Sequence, residues 1–151
     1  MSTATVNQAL AQAIWLLTPE MILVGFACLV FLGGAFIANR NLWGWVTLIG
    51  MGAAFYDALY AAAGPGVPEI FATPVIIDSL SQYTRYVAIA SGAVLLLLSW
   101  FELGDRQAAD HHACLLVLTA GVSLVGSAND LASMFLALEL ISIPTYVMLY
   151  L

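Results

Sequence analysis

The chain has 151 residues, 63% of them hydrophobic and 8% charged, and a net charge of -6. An average soluble domain is roughly 25% charged, so nine acidic and three basic side chains cannot cover a water-facing surface of this size. Composition excludes a soluble globular domain, the negative charge excludes a nucleic-acid binder, and the apolar content excludes a disordered tail, which leaves an integral membrane protein.

A helix needs about 20 mainly apolar residues to cross about 30 Å of hydrocarbon. The first fifteen residues carry no Lys or Arg, so the basic start of a removable signal peptide is missing. Met21 to Asn39 contains no charge. Thr18 as cap, Pro19 at the first helical position and Glu20 beside the positive end of the dipole predict a helix start there. The first span is placed at 19–38, followed by the polar turn Asn39-Arg40-Asn41. The second, 42–62, begins with Trp43 and Trp45 and ends near Tyr60, aromatics suited to the two interfaces.

Gly64-Pro65-Gly66-Val67-Pro68-Glu69 reads as a turn-forming loop. Asp78 is expected to cap a third span at about 79–101. The polar segment Glu102 to His112 precedes a short fourth span, 113–128, and Asn129-Asp130 links it to a fifth, 131–151. These runs are too long and too uniformly apolar for barrel strands, which alternate with period two. Helices satisfy their backbone internally, as lipid demands. The expected fold is an all-α membrane bundle of about five transmembrane helices in one membrane region. Arg40 and Arg106 place the first and third connections in the cytoplasm and the N-terminus outside, by the positive-inside rule. The last span runs apolar to Leu151 without an interfacial anchor, so the chain reads as truncated at its C-terminus.

Glu139 is the clearest candidate for chemistry, being the sole charge between Leu131 and Leu151. At about 1.5 Å per residue it lies about 12 Å into its helix, near the bilayer midplane. A carboxylate there costs roughly 2.5 kcal/mol or more and normally faces protein interior or a water-filled path. Desolvation favours the neutral acid and a nearby cation the carboxylate, a combination suited to a proton relay. The alternative is a protonated Glu hydrogen-bonded to a neighbouring helix. Ser142, one turn away, is expected to hydrogen-bond the carboxylate. Pro144 removes one backbone hydrogen bond and frees the carbonyl of Leu140, or is simply one of the prolines common in membrane helices.

The other polar residues are read more plainly. Asp57, inside the second span, pairs with Arg85 or sits hydrated at the outer surface. Asp78 and Arg85, seven residues apart on one helix face, form an ion pair or share a partner helix, with a structural role favoured. His111-His112 are read as solvated loop residues rather than proton collectors or metal ligands. Gly33-Gly34 and Gly50/Gly52 are expected to allow close helix packing. Cys28 and Cys114 lie in apolar runs as small hydrophobes. No metal-ligand set, nucleotide fingerprint or nucleophile triad is present, so no redox chemistry is expected in this chain.

The run from Ser127 to Tyr146, SANDLASMFLALELISIPTY, resembles a signature of the antiporter-like membrane subunits of respiratory complex I, specifically subunit N of NADH-quinone oxidoreductase. Ile77-Asp78-Ser79-Leu80-Ser81 looks like the family's opening to its third helix. The resemblance is weak over the first 75 residues and strong after about 113. It implies an N-terminal portion of a fold of about fourteen helices built on inverted repeats. It implies proton translocation coupled to quinone reduction, with Glu139 matching a glutamate that pairs with a lysine on a later helix. This chain has no lysine, so the partner would come from elsewhere. It also implies a hetero-oligomer with other complex I membrane subunits in a bacterial inner membrane. No cofactor is expected in this chain; NADH, FMN, iron–sulfur clusters and quinone belong to partner subunits. The competing readings are a subunit of a related cation/proton antiporter or membrane hydrogenase, and a non-transporting five-helix structural or assembly protein.

Overall fold

The computed structural model describes residues 14–62, 75, 76 and 78–151, and within them five helices. In chain order these are α1 (Thr18–Gly34), α2 (Arg40–Ala62), α3 (Ser79–Ser99), α4 (Ala108–Ser127) and α5 (Leu131–Tyr150). The Gly64–Glu69 turn lies outside the described residues.

Three helices are long and apolar enough to cross a membrane: Arg40–Tyr60 of α2, Ala108–Ser127 and Leu131–Tyr150. α1 is apolar but has 17 residues. α3 has 21, and its early turns are diluted by the buried polar residues Ser81, Gln82 and Arg85. Large apolar side chains point outward along the bundle, among them Leu97, Leu98, Phe135 and Leu149. In water such a surface would drive aggregation; in lipid it is the required solvent contact.

The caps explain several boundaries. Asp78 accepts from the backbone N–H of Ser81 at 2.7 Å, as expected of an N-cap. Asp130 does the same for α5, accepting from the Ser133 N–H at 2.6 Å. Thr18 does not cap α1. Its hydroxyl instead donates back to the carbonyl of Trp15 at 2.7 Å, and Leu17 holds the cap position without a side-chain bond. α4 begins at Ala108, five residues ahead of the expected 113, and so contains His111 and His112. Polar residues at a helix start resemble a loop in sequence, because hydropathy separates lipid from water and not helix from coil.

Successive helices run up and down. The first and third connections share one end of the bundle. Arg40 Nε lies 3.8 Å from Asp105 Oδ1, and Trp100 Nε1 donates to Asn41 Oδ1 at 3.2 Å. Trp43 folds back on Gly33 and donates from Nε1 to the carbonyl of Ile37 at 2.7 Å. A Cβ on Gly33 would overlap the Trp43 ring. At the opposite end an isolated antiparallel bridge joins Val75 to Ala128, with Ile76 N–H donating to the Ser127 carbonyl at 2.8 Å.

α4 is the central element, packed against α1, α2, α3 and α5 and buried along most of its length. Its neighbours approach closely where side chains are small. A Cβ on Gly121 would stand 2.9 Å from Ile141 Cγ1 and 3.1 Å from the α5 backbone. Gly50 is covered by Phe26, whereas Gly52 faces open space, contrary to the expectation that it too permits packing. α5 lies on one side of α4, and of its residues Ala137 and Pro144 are buried.

Candidate functional site

Two acidic sites distinguish themselves, and they differ in every respect that matters. The first is buried. Glu20 is fixed by its place in the first turn of α1, and Arg85 reaches it from α3. Arg85 is fully buried, and Glu20 is 6% exposed. Arg85 Nε donates to Glu20 Oε1 at 2.8 Å and Nη2 donates to Oε2 at 3.0 Å, a two-pronged pairing. Nη2 also donates to the carbonyl of Leu16 at 2.7 Å. The Ser123 hydroxyl of α4 donates to Glu20 Oε1 at 2.6 Å. Three helices therefore meet on one carboxylate. Arg85 Nη1 is buried without a partner.

This geometry corrects the expected partners of Arg85. It pairs with neither Asp57 nor Asp78. Asp57 is half-buried on α2, and Asp78 is exposed at its capping position. Glu20 escaped sequence reading because a carboxylate in a first helical turn already has an explanation in the helix dipole. The available signal was a lone arginine within an apolar span, which needs a carboxylate from another helix.

The second site is open. Glu139 is the ninth residue of α5 and lines a groove of about 420 Å³ between α1, α4 and α5. α1 contributes Ala27, Cys28 and Phe31; α4 contributes Ala113, Cys114 and Val117. Leu136, Leu140, Ile143, Pro144 and Val147 complete the α5 wall. Glu139 is thus the one ionisable carboxylate in an otherwise apolar lining. It is exposed, and among the described residues it makes no hydrogen bond or ion pair.

Ser142 does not reach it. Its hydroxyl donates to the carbonyl of Leu138 at 2.8 Å, the usual back-bond of a helical serine. Pro144 is buried within a continuous α5, where its ring nitrogen has no hydrogen to give the Leu140 carbonyl. The Thr145 hydroxyl donates to Ile141 at 2.7 Å, holding the helix beside the proline.

His112 is also buried, at 1% exposure, with Nδ1 lacking a partner; Nδ1 of His111 is in the same position. The burial of His112 and half-burial of His111 within α4 replace the expectation of solvated loop residues. Among the described residues no group of three or more His, Cys, Asp or Glu is placed to hold a metal ion.

No protein-family profile matches the chain. Individual relatives do. F(420)H(2) dehydrogenase subunit N of Methanosarcina mazei is 32% identical over 147 residues, covering 89% of this chain and 29% of the relative. NADH-quinone oxidoreductase subunit N of Maricaulis maris is 27% identical over 144 residues, covering 92% and 30%. NADH-quinone oxidoreductase subunit N 1 of Solibacter usitatus is 32% identical over 136 residues, covering 86% and 27%. The chain spans under a third of the length of these relatives. Matched along nearly all of its own length by subunit N proteins of two related enzymes, the chain is the homologue of a segment of subunit N.

Proposed function

We propose that the chain is the N-terminal portion of a proton-translocating membrane subunit of an NADH-quinone oxidoreductase, with Glu139 as its proton-carrying carboxylate. The observation that supports this most is the position of Glu139. It stands midway along an otherwise uncharged membrane-length helix, facing an apolar groove, with no partner among the described residues. An ionisable group at such a depth marks an ion path by default. A carboxylate with no fixed partner is free to bind a proton and release it to whatever group approaches the groove.

The chain's own part is limited to holding and moving that proton. NADH oxidation, the flavin and iron–sulfur chemistry and quinone reduction belong to partner subunits of a hetero-oligomer in a bacterial inner membrane. The lysine that the resemblance pairs with this glutamate has no counterpart among these 151 residues, so in this reading it is supplied from elsewhere in the assembly. The Methanosarcina relative names F(420)H(2) where the others name NADH, at similar identity, so the electron donor is a property of the partners in this reading.

The test is Glu139→Gln in the complete assembly, read as acidification of inverted vesicles during turnover. Proton translocation and the coupled turnover should both fall. Unchanged acidification at normal assembly would remove Glu139 from the proton path. Co-purification of peripheral iron–sulfur subunits separates this reading from a stand-alone antiporter, which would bring none.

A further inference from the structure

We propose that Glu20, Arg85 and Ser123 form a positioning clasp that sets the angle between α1 and α4 and thereby the shape of the groove at Glu139. The clasp and the groove share the same two helices. On α1 the buried residues Glu20, Leu23, Ala27 and Val30 recur at helical spacing, so they form one stripe. On α4 the stripe is Ser123, Ala120, Leu116 and Ala113. Ala27 and Ala113 belong to these stripes and also line the groove. The clasp thus stands at one end of an interface whose other end is the groove wall, about two helical turns away.

Apolar packing alone would seat α1 on α4 and leave their angle loosely determined. A guanidinium is planar, and its two-pronged contact with a carboxylate fixes orientation as well as distance. Here the fork comes from a third helix, α3, and the carboxylate is held from α4 by the Ser123 hydroxyl. A tilt of α1 against α4 cannot occur without breaking one of these bonds. Small residues at Ala27 and Ala113 bring the helices close enough for such a tilt to reshape the groove. The consequence for transport rests on the reading of Glu139 given above; the consequence for groove shape does not.

Cys28 and Cys114 line the groove from α1 and α4 and provide a readout that is independent of transport. The experiment compares the full-length subunit in its assembly with Glu20→Gln, Glu20→Asp and the pair Glu20→Met with Arg85→Met. It measures the rate of N-ethylmaleimide labelling at each cysteine, alongside vesicle acidification. Glu20→Gln should change labelling of Cys28 or Cys114 severalfold and slow acidification by roughly tenfold or more, the scale of effect expected from a displacement of about 1 Å. Glu20→Asp, which keeps the charge, should recover most of both. The double Met variant removes the buried charges together, so it should assemble, yet keep the altered labelling and the slow acidification.

If Glu20→Gln fails to assemble, the double variant carries the test. Normal labelling with lost acidification would make Glu20 a proton carrier and overturn the clasp. Normal behaviour of the double variant would reduce the cluster to charge compensation. Should Glu139→Gln acidify normally while the labelling changes persist, the proposed function falls and the clasp stands.

Discussion

Glu20 and Glu139 are both carboxylates in helices of a lipid-facing bundle, and the molecule treats them in opposite ways. Glu20 is sunk between three helices and accepts hydrogen bonds from Arg85 and Ser123. Glu139 stands at mid-helix in a groove with no partner among the described residues. A buried carboxylate held by a two-pronged guanidinium and a hydroxyl has few arrangements open to it and serves geometry. A charge left unpaired at depth costs stability and is kept where something must come and go. On the roles proposed above, the difference separates a group that holds the fold from a group that uses it.

The comparison is sharpened most by removing each carboxylate in turn. Glu20→Leu leaves Arg85 as an uncompensated buried charge, and should destabilise the assembled subunit by about 3–5 kcal/mol in thermal unfolding in detergent. Glu139→Leu loses no partner and removes a carboxylate that is costly at that depth, so unfolding should stay at or above the stability of the parent while acidification is abolished. Equal losses of stability at both positions would break the distinction.

A smaller effect is expected where the groove meets α4. A Cβ on Gly121 would press on Ile141 and on the α5 backbone, which cannot rotate away. Gly121→Ala should therefore cost about 1–3 kcal/mol and push α5 outward, with acidification reduced alongside. Unfolding unchanged in that variant would show that α5 is seated more loosely than its contacts imply.

The smallest effect concerns the start of α5. The Ser133 side chain and backbone N–H, donating to Asp130, hold its carboxyl below the usual carboxylate range. A lowered value in the folded state means that the cap supports the fold above the ordinary carboxylate range and is lost as pH falls through the lowered value. The protection of the Ser133 amide, measured against its intrinsic exchange rate at each pH, should fall on acidification over that window, and unchanged protection would show that the cap does not hold the start of α5.

Much of this was legible from hydropathy alone. Five apolar runs became five helices, and Asp78 caps α3 as expected; Asp130, read only as part of a link, proves to cap α5 in the same way. Glu139 stood out because a single charge in a long apolar run has no local explanation. What hydropathy could not carry was pairing across the bundle. Arg85 finds Glu20 at a separation of 65 residues, through helix packing that no spacing rule encodes. Asp57 and Asp78 were nearer in sequence and therefore looked like better partners. His112 shows the same limit from the other side: its polarity suggested a loop, and burial against the helices that pack on α4 gave it a place in the interior.

The hairpin from α4 to α5 turns on little more than Asn129 and Asp130, and Asp130 anchors the new helix by its cap. From that anchor Glu139 is reached by counting. One extra residue inserted between Met134 and Leu138 would advance the carboxylate by about 1.5 Å and swing it by about 100° around the helix, out of the groove and toward the lipid. A deletion there would swing it the other way. Substitutions along this stretch should be tolerated, since most of its side chains face outward, whereas a change in its length should not. For the role proposed for Glu139, the phase of this nine-residue segment matters more than the identity of the side chains along it.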